Sequence, residues 1–325
     1  MPLPRPRDPG RPGPDGPGRP RLWHACAVST ETISAEEFAS HRPRVFGLAY
    51  RMLGSAQEAE DTVQDAYLRW RGARRADIER PAAWLAKTVT HLCLNRLTSA
   101  RARREEYVGT WLPEPVITSG GALGPLESAE QRDAVSMALL VVLERLTPTE
   151  RAVYVLREAF AYGHREIAGV LDTSEANSRQ LYRRAARAVA AGRTRFEPEP
   201  RPHRELVEAF LAAARDGDVA GLEKLLAADV TWWGDGGGKV TAARRPVLGR
   251  EKVVRFLVGG MRTFGAAMDF SYAEVNGAPA VLARVEGTLV GTASFELSGD
   301  GAVIGVRAVV NPDKLAYAER QVAPV

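Results

Sequence analysis

The chain has 325 residues, enough for two or three domains, and its 45% hydrophobic and 26% charged residues are ordinary for a globular protein. Its two cysteines, Cys26 and Cys93, lie far apart and outside any metal-ligand spacing, so neither a disulfide framework nor a zinc site is expected. No apolar run reaches the roughly 20 residues that span a bilayer. We therefore expect a cytoplasmic protein that contacts no membrane and binds no metal.

The net charge of +4 is unevenly distributed along the chain. Residues 69–104 contain ten Lys or Arg against two Asp or Glu, and residues 177–196 contain six Arg and no acidic residue. Such concentrations of positive charge favour binding to a polyanion, although a single basic run is equally typical of a solvated surface.

The first block after an N-terminal tail is predicted to be helical. Residues 1–33 are rich in Pro, Gly and Arg, a composition that predicts disorder. Helical periodicity starts at Ser34, which opens a capping-box pattern, and two more helices are predicted over 56–71 and 81–104. No strand alternation interrupts them, so residues 34–107 should form a small all-α domain.

A second helical block carries a DNA-binding pattern. Prolines and glycines make residues 108–125 a predicted linker, and helical periodicity returns over 126–197. Thr147 to Glu150 form a capping-box pattern at a helix start, and Asp172 to Ser174 predict a turn in which Ser174 caps the next helix. This helix-turn-helix arrangement is typical of DNA-binding domains.

The last helix of that motif has an apolar and a basic face. Helical spacing predicts that Leu181, Ala185 and Ala188 face inward. The outward positions are polar or basic and comprise Arg179, Gln180, Arg183, Arg184 and Arg187. Arg and Gln pair bidentately with base edges, so this face suits a major groove. A helical hairpin with an ordinary basic surface is the alternative interpretation.

The C-terminal block, 203–325, changes character. Helical stretches come first, and segments rich in β-branched and aromatic residues follow at 268–275, 279–285, 288–297 and 302–310. Asn276-Gly277, Glu286-Gly287 and Asp300-Gly301 separate these segments, which is typical of hairpins. Helices followed by a predicted antiparallel meander indicate an α+β domain.

The second and third helices differ in charge. The second is acidic in its first turns, so its surface should face a protein and not DNA. The third mixes aromatic and basic residues, which suits melted or single-stranded DNA. At Glu60–Ala66 and Pro81–Leu97 the chain resembles the extracytoplasmic-function sigma factors of the sigma-70 family, and the helix-turn-helix is similar to their −35 reader.

This resemblance implies an alternative sigma factor that binds core RNA polymerase at the β′ clamp helices and the β flap, and that directs promoter-specific initiation. The implied polymerase-binding residues are Asp61, Gln64, Asp65 and Leu68. The implied −10 residues are Trp84, Asn95, Arg96, Arg101, Arg103 and Arg104. The exposed residues of the helix-turn-helix, named above, would read the −35 element. Trp84 is alternatively a core aromatic.

Three further motifs resemble the SigJ-like group, whose members carry a fused SnoaL-like domain of the NTF2-like fold. The motifs are Trp111, Leu112, Pro113, Glu114 and Pro115; Asp235, Gly236, Gly237, Gly238 and Lys239; and Asn311, Pro312, Asp313, Lys314 and Leu315. The implied architecture is two all-α sigma domains, region 2 and region 4, followed by an α+β SnoaL-like cone. The motifs would position this cone, and our hypothesis is that it controls promoter output in cis.

Other functions compete with this interpretation. No histidine lies beyond His203 and no cysteine lies in the C-terminal block, so we expect no enzyme, no catalytic residue and no cofactor, although carboxylates such as Asp269 remain. The main alternative is a helix-turn-helix regulator that senses a small ligand through a C-terminal pocket. Such a regulator needs neither the acidic second helix nor the basic third one.

Overall fold

The computed structural model describes residues 30–74, 78–119, 135–192 and 203–322, with the backbone alone at 30–34, 98–105, 192 and 203. Most of the tail predicted over 1–33 lies outside this range. Among the described residues, no helix is both long and apolar enough to cross a membrane.

The first block is a bundle of three helices, α1 (Thr30–Leu53), α2 (Ala56–Gly72) and α3 (Pro81–Glu105). Helix α1 begins four residues before Ser34, so the predicted capping box is wrong and Ser34 lies inside the helix. Gly54 ends α1 with a φ of +69°, a left-handed conformation that glycine adopts without steric cost. The Oγ of Ser55 then accepts a hydrogen bond from Glu58 N and caps α2.

The second block contains α4 (Met137–Leu143), α5 (Pro148–Glu158), α6 (His164–Val170) and α7 (Glu175–Gly192). The predicted capping box at α5 is confirmed, because Thr147 and Glu150 bond each other's backbone N–H groups at 3.2 and 3.3 Å. The cap of α7 is also confirmed, since Ser174 Oγ accepts from Asn177 N at 3.1 Å. Helices α6 and α7 with the turn between them form the helix-turn-helix.

One hydrophobic core runs through both helical blocks. It includes Trp70 and Leu85 of the first block and Leu156 and Leu181 of the second. The two blocks are therefore packed together in this structure.

The C-terminal domain places helices before and around a six-stranded sheet. In chain order it has α8 (His203–Asp216), α9 (Val219–Leu225), β1 (Leu226–Asp235), β2 (Val247–Leu248), α10 (Arg250–Phe264), β3 (Asp269–Val275), β4 (Ala278–Val285), β5 (Thr288–Leu297), β6 (Val303–Val309) and α11 (Pro312–Val322). The strand order is β2-β1-β6-β5-β4-β3.

The predicted meander is correct for β3 to β6, which pair antiparallel in sequence order. The sheet as a whole is mixed, however, because β1 was not predicted and lies parallel to β6. The predicted turns are confirmed at Asn276 and Glu286, each of which has a positive φ and precedes a glycine.

The two faces of the sheet have different partners. Helices α8 to α10 cover one face, where Phe210 meets Phe295 with ring centroids 5.0 Å apart. The other face carries Val275, Leu282 and Val309, and its apolar cluster includes linker residues, α11 and Met137 of α4. The C-terminal domain thus contacts the rest of the chain through this second face.

Candidate functional site

The exposed face of α2 presents an apolar residue between polar ones. Asp61, Gln64 and Leu68 are exposed on this helix, and Leu68 has 57% of its surface accessible. Ala59, Val63 and Ala66 form the opposite, buried face that holds α2 in the bundle. Three of the four residues predicted to bind polymerase therefore lie on one accessible surface.

The fourth residue, Asp65, is engaged within the protein. Its carboxylate pairs with Arg96 of α3 at 2.6 Å, and Asp61 lies 3.9 Å from the same guanidinium. The resemblance assigned these acids and Arg96 to different partners, but the structure joins them between α2 and α3. Asp65 and Arg96 thus contribute to the relative placement of the two helices.

The predicted −10 residues of α3 are spread along the helix. Asn95 is exposed, whereas Trp84 is half-buried and packs edge-on against Trp70 with ring centroids 5.7 Å apart. Trp84 is therefore at least partly a packing residue. The side chains of Arg101, Arg103 and Arg104 lie outside the described residues.

Helix α7 carries the basic surface that the sequence predicts. All five predicted −35 residues are exposed: Arg179, Gln180, Arg183, Arg184 and Arg187. Arg184 lies 3.3 Å from Glu150, and Arg179 pairs with Glu175 along the helix. Leu181 and Ala185 are buried as predicted, but Ala188 is exposed and Val189 is buried in its place.

An unpredicted polar contact joins α3 to the helix-turn-helix. Lys87 Nζ lies 2.5 Å from the Asp172 carboxylate and donates to Gly169 O at 3.1 Å. His91 Nε2 lies 2.7 Å from Val170 O. The hydrogen bond from Lys87 lowers the pKa of Asp172. Nothing in the local sequence pattern pairs these residues, which lie about 80 positions apart.

Two arginines, Arg51 and Arg151, are buried where the two helical blocks meet. Arg151 of α5 donates from Nε to Arg51 O at 3.1 Å and pairs with Glu144. Burial lowers the pKa of Arg151 to about 9 and that of Arg51 to about 10. A buried cation is costly without a partner, so this junction requires the partners of Arg151 to stay in position.

The linker is bound to the first block by Glu114. Its carboxylate accepts from Ser55 Oγ at 2.7 Å and from Gln57 N at 3.0 Å, so it supports the start of α2. Its backbone O accepts from Tyr50 at 2.6 Å. Burial is the main reason that the pKa of Glu114 is raised.

The same linker is bound on its other side by the C-terminal domain. The amide of Asn276 accepts from Val116 N at 3.1 Å and donates to the Tyr50 hydroxyl at 2.6 Å. The amide of Gln321 brackets Ile117, accepting from its N–H at 2.8 Å and donating to its carbonyl at 3.0 Å. Tyr50, Asn276 and Gln321 were not among the predicted site residues.

The three motifs meet at Asp235, which is fully buried. One carboxylate oxygen accepts from Tyr107 at 2.5 Å, and the other accepts from Leu112 N at 2.8 Å and Lys314 at 2.7 Å. Lys314 also donates to Leu112 O at 2.5 Å and lies 4.3 Å from the ring centroid of Trp111. The predicted interdomain motifs are thus brought together around one buried ion pair.

The rest of the motifs surround this pair. Pro113 and Pro115 are buried, Pro312 is exposed, and Lys239 pairs with Asp313 at 2.5 Å near the surface. Gly237 has a φ of +58°, and a Cβ there would lie 2.2 Å from the Asn311 amide. The glycines from Gly236 to Gly238 therefore allow two loops to approach each other more closely than side chains would permit.

Helix α11 also contacts the first block directly. Tyr317 stacks on Phe46 with ring centroids 5.5 Å apart, and Arg320 donates to Gln57 of α2 at 3.1 Å. Among the described residues, no cluster of three or more His, Cys, Asp or Glu could hold a metal ion. The shared core and the bonds from Asp235, Asn276 and Gln321 to the linker thus give two packed helical domains and a third domain that binds the linker between them.

Two family models match the helical blocks: Sigma-70 region 2 over residues 38–103 and Sigma-70, region 4 over residues 136–189. The helical domains and the exposed basic helix α7 are thus those of an RNA polymerase sigma factor. The chain is 40% identical over 291 residues to the ECF RNA polymerase sigma factor SigJ of Mycobacterium tuberculosis, covering 87% of this chain and 93% of the relative. It belongs to the ECF RNA polymerase sigma factors.

Two further similarities agree with this membership. The probable ECF sigma factor SigI of M. tuberculosis is 32% identical over 280 residues, which cover 85% of this chain and 92% of SigI. The crystal structure of M. tuberculosis SigJ superposes with a TM-score of 0.70 at 37% identity, covering 87% of this chain and 98% of that one.

The predicted class, the predicted fold class and the predicted function as a sigma factor are therefore confirmed. The protein is a sigma factor that directs transcription initiation, binds core RNA polymerase and promoter DNA, and is not an enzyme. Its C-terminal domain has the α+β class that the sequence predicts. Family membership favours this function over a ligand-sensing regulator that works without polymerase.

Proposed function

We propose that the exposed face of α2 is the surface that binds core polymerase, at the β′ clamp helices. The observation that carries this assignment is Leu68, a large apolar side chain left 57% exposed beside Gln64 and Asp61. Protein interfaces combine apolar contacts with a polar rim, and Leu68 with Gln64 and Asp61 offers both on one exposed helix face. Asp65 supports the surface indirectly, because it pairs with Arg96.

Promoter contacts are assigned to the two basic helices. Helix α7 reads the −35 element through its exposed Arg and Gln residues, and region 4 also contacts the β flap. Helix α3 engages the −10 element, with Asn95 and the basic residues near its end. The accessible guanidinium groups of Arg183 and Arg187 support the first assignment, since bidentate base contacts need a free donor fork.

The C-terminal domain acts in cis by holding the linker. Asp235 and Lys314 bind both the N–H and the carbonyl of Leu112, and Gln321 does the same for Ile117. A linker held at two residues constrains how regions 2 and 4 are presented to polymerase and DNA. We assign residues 34–107 to region 2, 108–125 to the linker, 126–197 to region 4 and 203–325 to the C-terminal domain.

Run-off transcription tests these assignments together. Sigma-free core polymerase is incubated with a pool of genomic promoter fragments, with and without the protein, and transcripts are mapped by their start sites. We expect discrete new transcripts that share −35 and −10 sequences. The same assay with Asp235→Asn, run at a temperature at which circular dichroism shows the variant to be folded, should give reduced output from the same start sites if the domain acts in cis. Unchanged output from a folded Asp235→Asn protein would contradict the role of the C-terminal domain.

A further inference from the structure

Part of the basic surface of α3 is covered by region 4. Arg80, which directly precedes α3, lies 3.8 Å from Glu166, and Lys87 pairs with Asp172 at 2.5 Å. His91 lies 2.7 Å from Val170 O. The three basic residues are spaced seven and four positions apart and so share one helical face. We call them the α3 strip.

The groups that cover the α3 strip resemble a phosphate in their chemistry. Lys87 is surrounded by a carboxylate oxygen of Asp172 and the carbonyl oxygen of Gly169, while a second carboxylate oxygen of Asp172 lies 3.6 Å from His91. These are anionic and carbonyl acceptors that converge on Lys87 and the neighbouring imidazole of His91. A backbone phosphate of DNA offers the same groups an equivalent set of oxygens.

The contact lies at the rim of the junction and not in its core. The side chains of Lys87 and Asp172 are 45% and 61% exposed, and that of His91 is 38% exposed. Exposed ion pairs contribute little to folding stability because water screens them. The apolar core and Arg151 also hold regions 2 and 4 together, so the packing of the two regions does not depend on the Lys87–Asp172 pair.

We propose that the turn carrying Asp172 masks the α3 strip from promoter DNA while regions 2 and 4 are docked. This inference rests on the proposed −10 role of α3. In it, Asp172 and the carbonyls of Gly169 and Val170 compete in cis with the phosphates of the promoter. The strip becomes available when region 4 moves away from α3, so docking lowers the affinity of the isolated sigma factor for DNA.

The two partners of the ion pair then have opposite effects on DNA binding. Asp172→Asn removes the mask but keeps every cation of α3, whereas Lys87→Gln removes a phosphate-binding cation. Both variants are made in full-length protein that also carries Arg183→Ala and Arg187→Ala, which weakens binding through α7. The probe is a fluorescein-labelled, mixed-sequence single-stranded 20-mer, and its anisotropy is titrated between 50 and 200 mM salt without polymerase.

We expect Asp172→Asn to raise affinity by roughly two- to fivefold, the range for loss of an exposed ion pair. Lys87→Gln should lower affinity and reduce the salt slope by about 1. The double variant should behave like Lys87→Gln alone. Glu208→Gln is the matched control, because it removes one carboxylate from the exposed Arg204–Glu208 pair on the C-terminal domain and should change nothing.

The remaining outcomes separate the mask from the role of α3. If Lys87→Gln lowers affinity but Asp172→Asn leaves it unchanged, the mask is overturned and the DNA-binding role of α3 stands. If Lys87→Gln has no effect even in the Asp172→Asn background, where the strip is unmasked, α3 does not bind phosphates through this strip, and the proposed −10 role fails there. If both variants change affinity in the same direction, the ion pair is purely structural. Circular dichroism melts confirm that each variant is folded.

Discussion

Asp235 and Lys314 lie 79 residues apart in the chain and form an ion pair with a 2.7 Å separation, with side chains 0% and 8% exposed. Between them they hold the N–H and the carbonyl of Leu112 in the linker. Two charges removed from water are tolerated here because the remaining lone pairs and protons find partners, among them the hydroxyl of Tyr107. The pair therefore joins the C-terminal domain to the linker, and it stays stable only while its hydrogen-bond partners keep their positions.

Asp235→Asn should strongly destabilise the protein. It removes the carboxylate charge that pairs with the buried Lys314 ammonium, and breaking a buried pair of this kind costs about 3–5 kcal/mol. Urea unfolding followed by tryptophan fluorescence measures the loss. Asp313→Asn is the control, since it breaks the exposed pair with Lys239 and should cost less than about 1 kcal/mol. Equal losses in the two variants would show that burial of the first pair is unimportant.

Glu114 should make stability depend on pH. Burial raises its pKa above the ordinary 4.5, so the folded protein retains this proton to a higher pH than the unfolded chain. Its contribution to the free energy of unfolding is thus full below pH 4.5 and is lost as pH rises through the raised pKa. We expect the stability of the parent protein relative to Glu114→Gln to decline over that interval, as measured by urea unfolding at a series of pH values. A pH-independent difference would refute this.

Leu68→Ala should weaken binding to core polymerase without affecting the fold, because Leu68 is the exposed leucine of the proposed surface. Truncating an interface anchor costs more than about 1 kcal/mol, so we expect a loss of at least about fivefold in affinity. Biolayer interferometry with immobilised core enzyme measures it. Leu248→Ala, which truncates a leucine 61% exposed on β2, is the control and should bind normally.

Arg183→Ala should lower affinity for the −35 half of a promoter by about 1–3 kcal/mol and relax sequence choice there. The reason is loss of an exposed guanidinium from the outward face of α7. Fluorescence anisotropy with matched and scrambled −35 duplexes separates base reading from phosphate contact. Arg145→Ala removes an exposed arginine of region 4 outside α7 and is the control. If the parent protein binds both duplexes equally, α7 does not read bases.

Local patterns in the sequence were sufficient for much of region 4. The Thr147–Glu150 cap, the Ser174 cap and the exposed arginines of α7 depend on residues within one or two helical turns, where spacing determines geometry. The prediction for the inner face was wrong at one residue. Ala188 is exposed, and the next residue, Val189, is buried on that face instead.

Contacts between distant segments could not be predicted in this way. Asn276 was correctly placed in a turn, but its bonds to Tyr50 and Val116 depend on how the domains pack. The Lys87–Asp172 pair could not be predicted from the sequence either, because each residue alone resembles a solvated surface charge. Strand β1 was missed because the helix α9 leads into it without a break, and its parallel pairing with β6 joins residues more than 70 positions apart.

The hold on the linker also sets an order for synthesis. The backbone N–H of Leu112 can bond to Asp235 only after Asp235 has been synthesised. The N–H of Ile117 bonds to Gln321, which is synthesised 204 residues later. Domains fold as they leave the ribosome, so both helical domains and the core between them can form before the C-terminal domain is made. The bonds from Asp235 and Gln321 to the linker are added only when those residues have emerged. A prematurely terminated chain would therefore retain both DNA-reading helices but lack the second set of contacts on the linker that connects them.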